Sequence, residues 1–256
     1  MHQWRISLLN VTVNPLTIPD FNQCIATAIA QQARWIIANH NLHSVYLYQR
    51  DPKMRAFYER AQIIYIDGMP LVYWGRVLGY PLRRDQRITC VDWVHPLMAA
   101  ATAGGWRVFY LGGKPGVAAR AAERLCQQYP ALQIATRDGY FQPADNSAVL
   151  AEITNFQPHI LMVGMGMPRQ EHWILENLDH LTVNAIIAVG ACFDYVAGAI
   201  PTPPRWMGCT GLEWLYRLYS EPRRLARRYL LEPWALVPLM ARDLWQMAQR
   251  GRGTSR

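Results

Sequence analysis

Along the first two hundred positions, short apolar runs bounded by turn residues alternate with longer stretches of helical spacing. Runs 6–13, 35–38, 63–66, 107–111, 133–136, 160–163 and 185–189 have the length and apolar content of strands. Between them, 21–32, 69–78, 91–103, 116–128, 147–155 and 169–177 read as helices. This alternation predicts an α/β, Rossmann-like fold: a largely parallel sheet with helices on both faces. Ligands in such sheets collect at the carboxyl ends of the strands. The pattern changes after Gly190, where Pro201, Pro203 and Pro204 interrupt any regular element. A helical run then begins near Leu212, with Trp214, Leu215, Leu218 and Leu225 at roughly helical spacing. The chain is therefore expected to divide into an α/β body, 1–200, and a helical appendage, 201–256.

Charge sharpens the picture of that appendage. Positions 205–256 hold ten Arg, no Lys and four acids, which is +6 of the chain's net +8. The pairs Arg223-Arg224 and Arg227-Arg228 lie among Trp206, Trp214, Tyr216, Tyr219, Tyr229 and Trp234. Arg interleaved with amphipathic aromatics suits a lipid headgroup layer or a phosphate partner; a solvated basic helix face is the plainer alternative. The longest charge-free stretch, 153–168, is sixteen residues and carries Asn155, Gln157 and His159, short of the about 18 needed to span a bilayer. The first thirteen residues lack the apolar core and cleavage site of a signal peptide. Any membrane contact is thus expected to be peripheral. No helix-turn-helix, zinc finger or RNP pattern is present, which argues against nucleic acid. The five cysteines, Cys24, Cys90, Cys126, Cys192 and Cys209, are scattered, odd in number and form no C-x-x-C. That usage speaks against a disulfide framework or a zinc site and for a reducing cytoplasm.

Candidate chemistry sits in the loops after the strands. Asp67-Gly68-Met69-Pro70 places an acid directly after an apolar run, where it is either a general base or the N-cap of the next helix. As a cap it would be held ionised, with a lowered pKa. Gly112-Gly113-Lys114-Pro115-Gly116 is a turn of the kind that cradles phosphate on backbone N–H groups, or simply a tight strand-to-helix turn. Gly164-Met165-Gly166-Met167-Pro168-Arg169-Gln170-Glu171 repeats the layout, with an amide and a carboxylate just inside the helix. Gly190-Ala-Cys-Phe-Asp194 follows the last strand in the same way. Several polar loops at strand ends point to one shared cleft.

These segments, with Asp138-Gly139-Tyr140-Phe141, Trp206-Met207, Gly211-Leu-Glu-Trp-Leu-Tyr-Arg217-Leu and Glu221-Pro-Arg223-Arg224, occur in one order from about residue 5 to 230. In that order the chain resembles the WecG/TagA/CpsF family of bacterial glycosyltransferases. The resemblance implies transfer of a sugar from a UDP-sugar donor to a lipid-pyrophosphate-linked sugar acceptor, with inversion, with neither metal nor cofactor, at the inner face of the cytoplasmic membrane. It makes Asp67 the catalytic base. Gln170 and Asp194 become substrate contacts, and Arg217, Arg224 and Arg227 the arginines that reach the pyrophosphate. The remaining candidate substrate-binding positions are Asn39, Asn41, Gly68, Arg87, Asp92, Gly112, Gly113, Tyr140, Gly164 and Gly166. The appendage becomes a membrane dock that completes the active site.

This chain departs from the family in three places. It reads Ala38-Asn39-His40-Asn41 in place of a Thr-Pro-Asn-like segment, Cys90 in place of Gly in an Arg-x-x-Gly-x-Asp pattern, and Thr202-Pro203-Pro204 before the Trp-Met. The donor is accordingly open between an N-acetylmannosamine type and a glucose type, and the oligomeric state is open too, a homo-oligomer included. Two rival readings are a nucleotide-binding oxidoreductase and a non-catalytic membrane-surface scaffold. The first calls for an early G-x-G-x-x-G, and residues 6–15 contain no glycine. The second has no need of Asp67 and three Gly-bearing loops at strand ends.

Overall fold

The computed structural model describes residues 4–253. Six parallel strands form one sheet: β3 (Trp35–His40), β4 (Ile63–Ile66), β5 (Arg107–Gly112), β6 (Gln133–Arg137), β7 (Ile160–Gly164) and β8 (Ala185–Ala188), in the order β4-β3-β8-β7-β5-β6. Because side chains alternate across a strand, each strand feeds two cores. Ile36, Ala38, Ile64, Ile66, Leu161 and Ile186 pack on one face. Ile37, Ile63, Tyr65, Val108, Ile160 and Ile187 pack on the other. Near-continuous apolar strands of this kind demand helices on both faces.

The body's helices are α1 (Ile18–Ala30), α2 (Leu42–Arg50), α3 (Pro52–Glu59), α4 (Met69–Val77), α5 (Cys90–Gly104), α6 (Val117–Gln128), α7 (Asn146–Phe156), α8 (Arg169–Asn177) and α9 (Cys192–Val196). Two of them, α2 and α3, fill the segment between β3 and β4 that the apolar periodicity leaves unassigned. Their signals lie in the caps: the Asn41 side chain accepts from Ser44 N, and Asp51 caps Lys53 N and Met54 N ahead of Pro52 at the first helical position. The expected first strand, 6–13, is instead a hairpin. β1 (Ile6–Leu8) and β2 (Val11–Val13) pair antiparallel outside the main sheet. Leu9 and Asn10 between them both have positive φ, 50° and 63°, as a two-residue hairpin turn with the right twist requires.

Helix in the segment after residue 200 begins earlier than Leu212. The elements of the appendage are α10 (Arg205–Thr210), α11 (Glu213–Ser220), α12 (Pro222–Ala226), a π turn at Arg227–Leu231, a 3₁₀ turn at Glu232–Leu236 and α13 (Val237–Gly253). It is held closely to the body. Leu225 and Leu236 are buried, and the Asp243 carboxylate accepts from Leu9 N at 2.7 Å and from Trp74 Nε1 at 3.0 Å. Among the described residues no helix is long and apolar enough to cross a membrane.

The cysteine pattern gives no pairing, and the structure shows one. Cys90, at the start of α5, and Cys192, at the start of α9, form a disulfide across 102 residues with their Cα atoms 5.5 Å apart. Spacing along the chain carries no hint of this pair, because the sheet order rather than the sequence brings the two helix starts together. Two joined cysteines still fall short of a framework; Cys192 is one member of a large apolar core and Cys90 packs at its edge.

Candidate active site

All six sheet strands deliver their carboxyl-end loops to one cleft of about 1070 Å³, and the appendage closes its far side. Asn39 and Asn41 come from the end of β3, Asp67 from β4, Gly113 from β5, Gly139 and Tyr140 from the loop after β6, Gly164 and Gly166 from β7, and Asp194 from the loop after β8. Arg217, Arg224, Arg227 and Arg228 enter from the appendage.

The Gly-bearing loops are laced together by their own backbones. Gly139 N donates to Gly113 O at 3.0 Å, and Gly113 N to Gly164 O at 3.2 Å. Glycine is required at Gly112 and Gly164 because β5 and β7 end in contact: a Cβ on Gly112 would strike the Gly164 carbonyl, and one on Gly164 would strike the Tyr110 hydroxyl. Gln170 completes the weave. Its Oε1 accepts from Gly166 N at 3.2 Å and Gly190 N at 3.0 Å, so this fully buried amide fixes the loops after β7 and β8 against each other.

Asp67 is not a helix cap. Gly68 holds the N-cap position of α4 and makes no side-chain cap bond, while the Asp67 carboxylate accepts from Asn41 Nδ2 at 3.2 Å. The lowered pKa expected of a cap is therefore corrected. Burial pushes this carboxyl up, against the opposing pull of the Asn41 hydrogen bond and of Arg217, Arg228 and Arg87. A carboxylate with a raised pKa and one modest hydrogen bond is a better proton acceptor than a capped one.

Two guanidiniums converge on it. Arg217 lies with its Cζ 5.9 Å from the Tyr195 ring centre. Arg228 donates to Asn41 Oδ1 at 3.5 Å, so Asn41 joins Arg228 to Asp67. The Nε atoms of both arginines are buried without a hydrogen-bond partner, an arrangement that costs free energy until an acceptor arrives. Arg224 is exposed and gripped in a fork by Glu221, at 2.6 and 2.7 Å. Arg227 is exposed at the rim. Arg228 was not among the residues expected from sequence; its spacing of four from Arg224 is the helical signal that points to it. Lys114, Arg169 and Tyr195 are further cleft residues that sequence reasoning did not select, and His43, a histidine the sequence offers as a cleft or structural residue, lines it too. His43 is bonded through Nδ1 to Glu232, which ties α2 to the appendage.

Other expected site residues take supporting places. Asn39 is buried and its Nδ2 donates to Ala188 O at 3.0 Å and Tyr65 Oη at 3.3 Å, leaving Oδ1 without a partner. Arg87 donates to Asp92 at 3.2 Å and to Glu213 at 2.8 Å, which clamps the start of α11 to the start of α5. Arg87 and Gly68 line a smaller pocket of about 220 Å³ on the other side of Asp67, walled by Met69, Trp214, Tyr229 and Pro233. Asp92 and Gly112 line neither cavity. Asp194 faces the main cleft; burial raises its pKa, opposed by Lys114 and Arg224.

Glu171 lies beneath these loops, fully buried, with Oε1 accepting from Gln170 Nε2 at 2.7 Å and Oε2 unpartnered. Burial pushes its carboxyl from 4.5 up to about 7. A folded-state pKa above the unfolded one means that the folded form holds the proton more tightly. This group's contribution to stability is therefore full below pH 4.5 and is lost as pH rises to about 7. Glu171→Gln should remove about 3 kcal/mol of pH-dependent stability over that window. Denaturant unfolding at several pH values checks this; an unaltered slope in the variant would contradict it.

The family model of the Glycosyl transferase WecG/TagA/CpsF family matches residues 6–250, nearly the whole chain.

Proposed function

Because the chain belongs to the WecG/TagA/CpsF family and is a glycosyltransferase of polysaccharide biosynthesis, we propose that it moves a sugar from a UDP-sugar to a saccharide carried on a polyprenyl pyrophosphate. The observation that carries this reading is the convergence of Arg217 and Arg228 on the raised-pKa carboxyl of Asp67 at the mouth of the phosphate-type loops. Asp67 takes the proton of the acceptor hydroxyl as its oxygen attacks the anomeric carbon. The bond from that carbon to the UDP oxygen breaks on the opposite face, so configuration inverts. Charge building on the departing diphosphate is met by the guanidiniums of Arg217 and Arg228, whose planar forks suit phosphate. No step in this scheme calls on a metal or cofactor. The donor is of N-acetylmannosamine or glucose type.

In this reading residues 1–200 form the catalytic body, and 201–256 dock on the inner face of the cytoplasmic membrane. Trp206, Tyr219, Leu231, Trp234 and Trp245 of the appendage are exposed beside its arginines, the composition of a surface that lies in a headgroup layer. Replacing Trp234 and Trp245 together with Ala should weaken binding to anionic vesicles by roughly tenfold while sparing turnover on a soluble acceptor. Co-sedimentation measures the first quantity; vesicle binding equal to that of the wild type would refute the docking face.

Thermal shift separates the donor class from its rival. UDP at about 100 times its Kd should stabilise the protein by about 2.7 kcal/mol, and NAD should not. Stabilisation by NAD alone would favour the oxidoreductase reading.

A further inference from the structure

We propose that Cys90 and Cys192 form a reversible thiol–disulfide exchange site inside the donor cleft, through which a small thiol controls the enzyme. Both residues line the main cleft. Cys192 is fully buried, whereas Cys90 is only half-buried, so a reductant that enters through the cleft meets the Cys90 sulfur first. A disulfide that persists or forms in a reducing compartment is, as a rule, catalytic or redox-sensing.

The bond is the covalent link between two pieces of the cleft that also meet in one core, α5 through Trp93 and Val94 and α9 through Phe193. On one side, the start of α5 carries Thr89 and Asp92, and Asp92 holds Arg87, the residue that clamps Glu213 of the appendage. On the other, α9 carries Asp194 and Tyr195, whose ring centre lies 5.9 Å from the Arg217 guanidinium carbon. Opening the bond loosens the Asp194–Tyr195 wall against the segment that anchors α11, with only the apolar packing of α5 and α9 left to hold the two. The donor cleft is then less pre-organised, and the apparent KM for donor rises more than kcat falls.

The exchange balances with a small thiol, RSH, as co-reactant. Its thiolate attacks the Cys90 sulfur, an R–S–S–Cys90 bond forms, the Cys90–Cys192 bond breaks, and Cys192 leaves as a thiolate that takes up a proton. A second thiolate displaces Cys90 and yields RSSR. Two RSH lose two electrons in all, and the two protons end on the cysteine sulfurs.

The nucleotide arm of the test rests on the UDP reading; the chemical arm does not. The folded protein is treated with 2-mercaptoethanol, quenched with an alkylating agent, and digested without reduction, and the Cys90–Cys192 cross-linked peptide pair is followed by mass. The cross-link should be present at the start, open in the folded protein, and open at least tenfold more slowly with saturating UDP in the cleft. Absence of the cross-link in oxidised protein, or opening only after denaturant is added, overturns the proposal. An unchanged opening rate with UDP demonstrably bound overturns it as well. If UDP binds neither the oxidised nor the reduced protein, the donor reading fails instead, and the exchange site is judged on opening in the folded state alone. Cys90→Ser supplies a second check: it should reproduce the raised donor KM of the reduced enzyme and make that KM insensitive to thiol, and a KM equal to that of the oxidised wild type would contradict the regulatory role.

Discussion

Asp67→Asn is expected to lower kcat by about 10²–10⁴-fold while leaving UDP affinity nearly intact, the range over which positioned general bases act. The substitution keeps the shape of the side chain and removes only its ability to take a proton. Affinity survives because the donor's phosphates are assigned to the arginines and loop amides. Stability should survive as well. Asp67 has a raised folded-state pKa, so its charged form is a cost to the fold at neutral pH, and the neutral amide removes that cost. The pH profile gives the same residue a second test. Transfer needs the carboxylate, so kcat/KM should fall as pH drops through the Asp67 pKa, with the acid limb lying above the 3.8 of an ordinary aspartate. Wild-type turnover in the variant, measured by release of UDP, would remove Asp67 from the mechanism.

The second large effect separates arginines that share a composition but not a place. Arg217→Ala and Arg228→Ala should each reduce kcat by about 10²-fold or more, the usual consequence of losing one donor to a developing anion in a closed site. Arg224→Ala should reduce it by roughly threefold, because an exposed, already paired guanidinium contributes little. Lys at 217 or 228 should recover only part of the loss, since it restores charge without the planar fork. Steady-state kinetics on the five variants, with thermal unfolding to confirm their folds, measures the contrast. Equal effects at 224 and 228 would mean that the tail acts as diffuse charge.

The sequence is most legible where one physical signal dominates. Seven apolar runs are enough to anticipate the α/β class, and six of them are strands of the main sheet because fully buried parallel strands read as continuous hydrophobic segments. Helices α2 and α3 are hidden because their apolar faces are diluted by Tyr, Arg and Gln, so only the Asn41 and Asp51-Pro52 caps announce them. The hairpin at residues 6–13 is missed for a related reason: Leu9-Asn10 is an unusual pair to place at positive φ. In the site, each loop is visible as Gly beside a polar residue, but the partners are not. That Asp67 bonds to Asn41, that Gln170 pins Gly190, and that Arg228 reaches Asn41 all depend on contacts across 20 to 187 residues. Cys90 and Cys192 are the extreme case, joined only because α5 and α9 start at neighbouring points of the same cleft.

The central claim is that this cleft carries out glycosyl transfer from a UDP-sugar to a lipid-linked sugar, and the mass of the product tests it most directly. The protein is incubated with a panel of UDP-hexoses and UDP-N-acetylhexosamines and with polyprenyl-pyrophosphate-linked N-acetylglucosamine or glucose. At least one pairing should yield an acceptor heavier by one sugar residue, with UDP released in equal amount, in the wild type and not in Asp67→Asn. No mass gain with any pairing, in protein that is folded and that UDP does not stabilise, would contradict the account.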